Sequence, residues 1–330
     1  MLLDGVAEVT APTVKFEQEL EKPCIVVQRH RHFDELIRRA KQHDPIPVAV
    51  VCPHNSNSLG SAVLAAKEGI ITPILLGQEA LIRKAAEEMG ADISNFEVID
   101  IAGSDQDVTA YACKLVHEGR AVSIMKGHLH TDDLLPAMLS GDGGLRVGRR
   151  FTHVFVMDAP THHELLYISD AAINIYPDLA TKVNIAQNTI DLAVSLGAEA
   201  RVAALSAVET VNPEIESSVD AALLSKMADR GQIKGGKVEG PLAMDNAVSL
   251  DAARTKGIVS DVASRANILV VPNLDAGNML FKQMTFIGKA EAAGLVLGAK
   301  VPVILNPRSD SAMARLVSCA VASLHSASKK

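Results

Sequence analysis

At 330 residues, 48% of them apolar and 22% charged, the chain is long enough for two domains with substantial cores. Only 3% is aromatic and there is no Trp, so Ala, Val, Leu and Ile must fill the core, as in a parallel sheet covered by helices. A net charge of −7 excludes a general attraction to nucleic acid or anionic lipid, so an anionic ligand needs a local cluster of donors. Cys24, Cys52, Cys113 and Cys319 are far apart and form no CxxC pair. They read as reduced thiols of a cytoplasmic protein, not as a zinc or disulfide framework. The sequence shows neither a basic start before an apolar stretch nor a run of membrane-spanning length, and a soluble, untargeted chain is expected.

Residues 1–22 mix charge and proline without periodicity and read as an extension. Strands are then predicted at 47–52, 70–76, 98–101 and 121–125, alternating with helices at 58–68, 78–89 and 104–118. Glycines at 69 and 90 close two of those helices. The cluster 140–144 breaks the pattern and is the best candidate hinge. After it come strands at 151–157, 171–175 and 200–206, with helices at 178–196, 212–228 and 247–255. Strands 268–271 and 301–305 and a helix over 311–324 close the chain. Strands alternating with helices are βαβ units, so the fold class is α/β with mostly parallel sheets and helices on both faces. The boundaries drawn are 23–145 plus 295–330 for a first domain and 146–294 for a second.

Three strand-to-helix turns could carry chemistry, since ligands in open α/β sheets collect at carboxyl ends of strands. In Met125-Lys-Gly-His-Leu-His-Thr-Asp-Asp133, Thr131 suits a helix N-cap, Lys126 adds charge, and the loop from Gly127 could meet an anion. The bland reading is an ordinary turn. His128 and His130 lack a third ligand at diagnostic spacing, so no metal is expected, and His162-His163 read as surface loop. In Val270–Lys282, Gly277 would let a ligand approach the backbone, Asn278 can donate from its amide, and Lys282 lies one turn further on. In Leu305-Asn-Pro-Arg-Ser-Asp-Ser311, Arg308 can grip phosphate through two parallel hydrogen bonds and Ser309 can donate to an oxyanion. Asp310 reads equally as a base or as a helix cap. The glycine-spaced run 288–298 fits helix packing as well as cofactor binding and contains no strand-following GxGxxG.

Taken together and in this order, the segments resemble the phosphate acetyl/butyryltransferase family, most strongly in VVPNLDAGNMLFKQM leading to AAGLVLGAKVPVILNPRSDS. The NPRSDS ending is closer to the butyryl-type, short-acyl branch. The resemblance implies two α/β domains like those of the isocitrate and isopropylmalate dehydrogenases, with an active-site cleft between them, and a homodimer. It implies transfer of a short acyl group between coenzyme A and inorganic phosphate in a ternary complex, with coenzyme A as substrate and no bound cofactor or metal. By position, Arg308 and Ser309 fall on the family's Ser-Arg active-site region with their order altered. Gly277, Asn278 and Lys282 fall on the acyl-phosphate cradle, and Thr131 with the loop from Gly127 on the opposite wall. Leu135 stands where acetyl-type members carry an Arg, and Ala314 where they carry an acid, which leaves Asp310 or another group as the base. Residues 5–20 resemble the tail of an enoyl-CoA hydratase domain that some members carry in front. The competing readings are a metal- and NAD-dependent dehydrogenase on the same architecture, for which no carboxylate cluster can be assembled, and a non-catalytic CoA-binding paralogue, suggested by Leu135 and Ala314.

Overall fold

The computed structural model describes residues 30–141, 143–306 and 311–328. The extension and the candidates Arg308, Ser309 and Asp310 lie outside those residues. The described chain opens with helix α1 (Arg31–Ala40), which buries Phe33 and Leu36. Its first N–H groups are taken by the Asp158 carboxylate, at 3.0 Å to His32 and 3.1 Å to Phe33. That contact ties the helix start to a strand far away in sequence.

Strands β1 (Ile46–Val51), β2 (Ile71–Gly77), β3 (Glu97–Asp100) and β4 (Ser123–Lys126) follow the predicted pattern. They alternate with α2 (Ser56–Lys67), α3 (Glu79–Met89) and α4 (Asp105–His117). Local chemistry explains the boundaries. Asn55 accepts from the Ser58 N–H to start α2, Ser104 and Asp107 form a reciprocal capping box on α4, and Gly90 ends α3 with φ 64°. Next come α5 (Thr131–Leu139), β5 (Thr152–Asp158) and β6 (Leu166–Ser169). The chain continues through α6 (Leu179–Ser195), β7 (Ala200–Leu205), α7 (Glu216–Asp229) and β8 (Gly236–Leu242). Short helices α8 (Met244–Val248) and α9 (Leu250–Thr255) lead to β9 (Ile268–Val270) and α10 (Leu274–Lys282). A π-helical turn (Gln283–Ile287), β10 (Glu291–Leu297), β11 (Val303–Ile304) and α11 (Ala312–Ala327) complete it.

All eleven strands form one sheet in the order β3-β2-β1-β4-β11-β10-β5-β6-β9-β7-β8. Three junctions at its centre are antiparallel, β11 with β10, β10 with β5, and β5 with β6; every other pair is parallel. Three reversals leave β6, β7, β8 and β9 running opposite to β1, β2, β3, β4 and β11. The carboxyl ends of the two parallel sets therefore sit at opposite edges of the sheet. Among the described residues, no helix is long and apolar enough to cross a membrane.

Several expectations are corrected. Residues 171–175 form a turn and not a strand, because the Asp170 carboxylate collects the N–H groups of Ala172 (2.9 Å) and Ile173 (3.0 Å). The strand there is β6, five residues earlier at its start. The glycine-spaced run 288–298 contains central strand β10, where Gly294 is needed for a close approach: a Cβ would strike the Leu305 carbonyl oxygen. Strand β8 went unpredicted because Gly236, Gly240 and Pro241 disguise it, and its place at the sheet edge tolerates a proline. The helix expected over 247–255 is two short helices, and that expected from 212 starts at Glu216. Ser311, not Asp310, caps α11, accepting from the Ala314 N–H at 3.0 Å.

Candidate active site

A cleft of about 970 Å³ lies over the centre of the sheet. Its floor is His153 and Phe155 of β5 with Ala292 of β10. One wall is the turn from β4 into α5, with Lys126, His130 and Thr131. The other is Asn278, Phe281 and Lys282 of α10, continued by Thr285 and Phe286 of the π turn. Asn306 and Ser311, the described residues on either side of 307–310, both line it. Of the predicted site residues, Thr131, Asn278 and Lys282 thus share one crevice.

The two predicted glycines lie outside the lining of this crevice. Gly127 lines a smaller adjoining pocket of about 120 Å³, which shares Lys126 and Asn306 with the cleft. A Cβ at Gly127 would collide with the Val51 carbonyl oxygen, so the missing side chain lets the end of β4 press against β1. Gly277 is buried and does not line the cleft. A Cβ there would come within 2.8 Å of Val271 Cγ2 and 3.0 Å of both Ala171 Cβ and the Asp170 carbonyl oxygen. The missing side chain lets the helix pack closely on the residues that follow β6 and β9.

Helix starts also differ from expectation. Thr131 is the first helical residue of α5 and not its cap; the cap is His130, whose side chain bonds no N–H. The N–H groups of Asp133 and Leu134 turn back to the His130 carbonyl, while those of Thr131 and Asp132 have no acceptor among the described residues. At α10 the start lies at Leu274, so Gly277 and Asn278 stand inside the helix. Asn273 caps the Ala276 N–H at 3.0 Å, and the Gly277 N–H is bound to the Asn273 carbonyl. The cleft runs along the last turn of α10 and the π turn that continues it to Ile287, where the helix dipole presents its negative end. Lys282, which forms no salt bridge with another described residue, supplies the opposite charge there. The Asn278 amide already donates to the Ala171 carbonyl at 3.3 Å, leaving one N–H for a ligand.

Among the described lining residues, Lys126, Lys282 and Lys289 face a single carboxylate, Glu291, whose Oε2 accepts from the Ser311 hydroxyl at 2.9 Å. In a chain of net charge −7 this is the local cationic cluster that the sequence calls for. Ala314 lines the cleft, so its methyl occupies a position from which an acid would have reached it, whereas Leu135 packs against the core.

Sequence reasoning missed the floor. His153 is fully buried, its Nε2 lies 3.1 Å from the Leu305 carbonyl oxygen, and burial pushes its pKa down. Phe155 stacks on Phe281 with centroids 3.7 Å apart. The one signal was an imidazole beside the apolar run Val154–Met157 of β5. Buried thiols are inert: burial pushes Cys52 and Cys319 up to about 12 and Cys113 to about 11. Among the described residues, one group has metal-ligand composition, His162, His163 and Glu164, and none of them lines the cleft. Both Glu164 oxygens are held by Arg201, at 2.6 and 2.7 Å.

Residues 104–323 match the family model described as phosphate acetyl/butaryl transferase. A phosphate acetyltransferase of Rhizobium meliloti is 52% identical over 299 residues, covering 90% of this chain and 94% of that one. A phosphate butyryltransferase of Clostridium beijerinckii is 39% identical over 301 residues, covering 91% and 99%. The crystal structure of a branched-chain phosphotransacylase from Enterococcus faecalis superimposes with a TM-score of 0.73 at 30% identity, covering 85% of this chain and 99% of that one. The chain belongs to the phosphate acetyl/butyryltransferase family.

Proposed function

We propose that the protein transfers a short acyl group between coenzyme A and inorganic phosphate, in a cleft that lies between two α/β domains, 23–145 plus 295–330 and 146–294. The observation that carries this reading is the shared crevice: Thr131, Asn278 and Lys282 line one cavity, bracketed by Asn306 and Ser311. A phosphate oxygen attacks the thioester carbonyl, a tetrahedral oxyanion forms, and the carbon–sulfur bond breaks to release the thiolate. Lys282 and Lys126 hold the anionic groups, with the α5 N–H groups adding donors. Arg308 grips the phosphate and Ser309 donates to the oxyanion, so that positioning and electrostatics supply most of the rate. Asp310 takes the thiol proton in the reverse direction.

A homodimer would cover the exposed apolar side chains around α10, among them Tyr176, Met279 and Ile287. A cytoplasmic location suits the three described cysteines, Cys52, Cys113 and Cys319, which are buried and unpaired among the described residues. Kinship with the isocitrate and isopropylmalate dehydrogenases rests on the layout of two α/β units about a cleft. A dehydrogenase activity is disfavoured by the donor set, since the described lining offers one carboxylate. The deciding experiment measures acyl phosphate formed from acetyl-, propionyl- and butyryl-CoA. Phosphate-dependent turnover is expected with at least one of them; tight CoA binding with no turnover on any would favour the non-catalytic reading.

A further inference from the structure

We infer that His153 is a positioning residue: by gripping the Leu305 carbonyl across Gly294, it fixes where the chain leaves β11 and enters the cleft. The inference rests on the acyl-transfer reading above. In the sheet, β10 lies between β5, which carries His153, and β11, which ends just before Leu305. A hydrogen bond from one to the other has to cross β10. The crossing point is Gly294, where a Cβ would collide with the Leu305 carbonyl oxygen and sit 3.1 Å from both Cε1 and Nε2 of His153. Any side chain at 294 closes the gap through which the 3.1 Å contact passes.

The rest of the geometry makes this contact matter. Strand β11 pairs through only two residues on each side, Val303 and Ile304, so the ladder itself restrains its end weakly. Leu305 is then held at both polar groups, its N–H on the Gly294 carbonyl at 3.2 Å and its carbonyl on the imidazole. The next residue, Asn306, lines the cleft. A carbonyl only accepts, so Nε2 carries the hydrogen, and Nδ1, which has no partner among the described residues, keeps its lone pair. Phe155 packs against the ring with centroids 4.3 Å apart and holds its orientation.

The test compares His153→Gln, which offers an amide N–H near the Nε2 position, with His153→Leu, which fills the space without a donor. His153→Leu is expected to lower kcat by about 10²-fold with KM for acyl-CoA little changed, as a misplaced catalytic segment does. His153→Gln should recover most of that loss, and Gly294→Ala should reproduce it by the second route. Circular dichroism and melting curves verify that each variant folds. Two results overturn the inference: wild-type kcat in His153→Leu, or a folded His153→Gln as slow as His153→Leu, which would make the ring itself the acid or base. If the wild type forms no acyl phosphate, the function reading fails separately. The latch is then judged from the ring ¹⁵N shifts of His153: a proton on Nε2 is expected, and a bare Nε2 sinks it.

Discussion

Two turns from strand to helix look alike in the sequence, each an apolar strand followed by polar capping residues, yet the cleft uses them in opposite ways. The turn after β4 faces the cleft with its helix start, where the N–H groups of Thr131 and Asp132 stay unbonded among the described residues. The turn after β9 is closed by Asn273, and the same helix meets the cleft with its final turn, through Asn278, Phe281 and Lys282. The cause is strand direction. Three antiparallel junctions reverse the second parallel set, so its carboxyl ends point to the other edge. One wall can therefore give backbone donors, while the other gives side chains that must overcome the wrong end of a dipole.

The strongest attempt to break this picture goes through the guanidinium assigned to phosphate. Arg308→Ala should lower kcat by about 10²- to 10³-fold, the usual loss when one oxyanion-stabilising donor is removed; wild-type turnover would refute the assignment. Lys282→Ala sharpens the contrast between the walls. Losing a charged hydrogen bond of about 1.5–3 kcal/mol should raise KM for phosphate roughly 10- to 100-fold, measured at saturating acyl-CoA. Gly277→Ala asks whether that glycine faces protein or ligand. Overpacking should cost about 1–3 kcal/mol in denaturant unfolding while turnover per folded molecule stays near wild type. The caps give the smallest effects: Asn273→Ala should cost about 1 kcal/mol, and Thr131→Ala, whose hydroxyl caps nothing, should stay within about 0.5 kcal/mol.

Much of the first four strands was legible because parallel strands buried on both faces read as plain apolar runs between glycine-closed helices. Ile46–Val51 and Ile71–Gly77 are examples. Farther along, the signal weakens for physical reasons. Leu166–Ser169 is too short to show a period, Gly236–Leu242 carries two glycines and a proline, and Glu291–Leu297 hides behind small residues that also suit helices. For the site, residue types were readable and geometry was not. Lys282 stood out as a charge near a turn, but which end of its helix meets the cleft depends on pairings between strands remote in sequence. His153 escaped notice because one imidazole beside an apolar run says nothing about the carbonyl that it reaches from another strand.

The brevity of β11 has a mechanical consequence. Two paired residues on each flank make it the narrowest span of the sheet, while β10 and β5 are joined through seven. Any bending that widens the crevice will concentrate at that thin joint, and the amides of Ile304 and Leu305 should exchange with solvent before those of the neighbouring strands. A ligand reaching both walls would brace the joint from outside, and the same amides would be the first to slow.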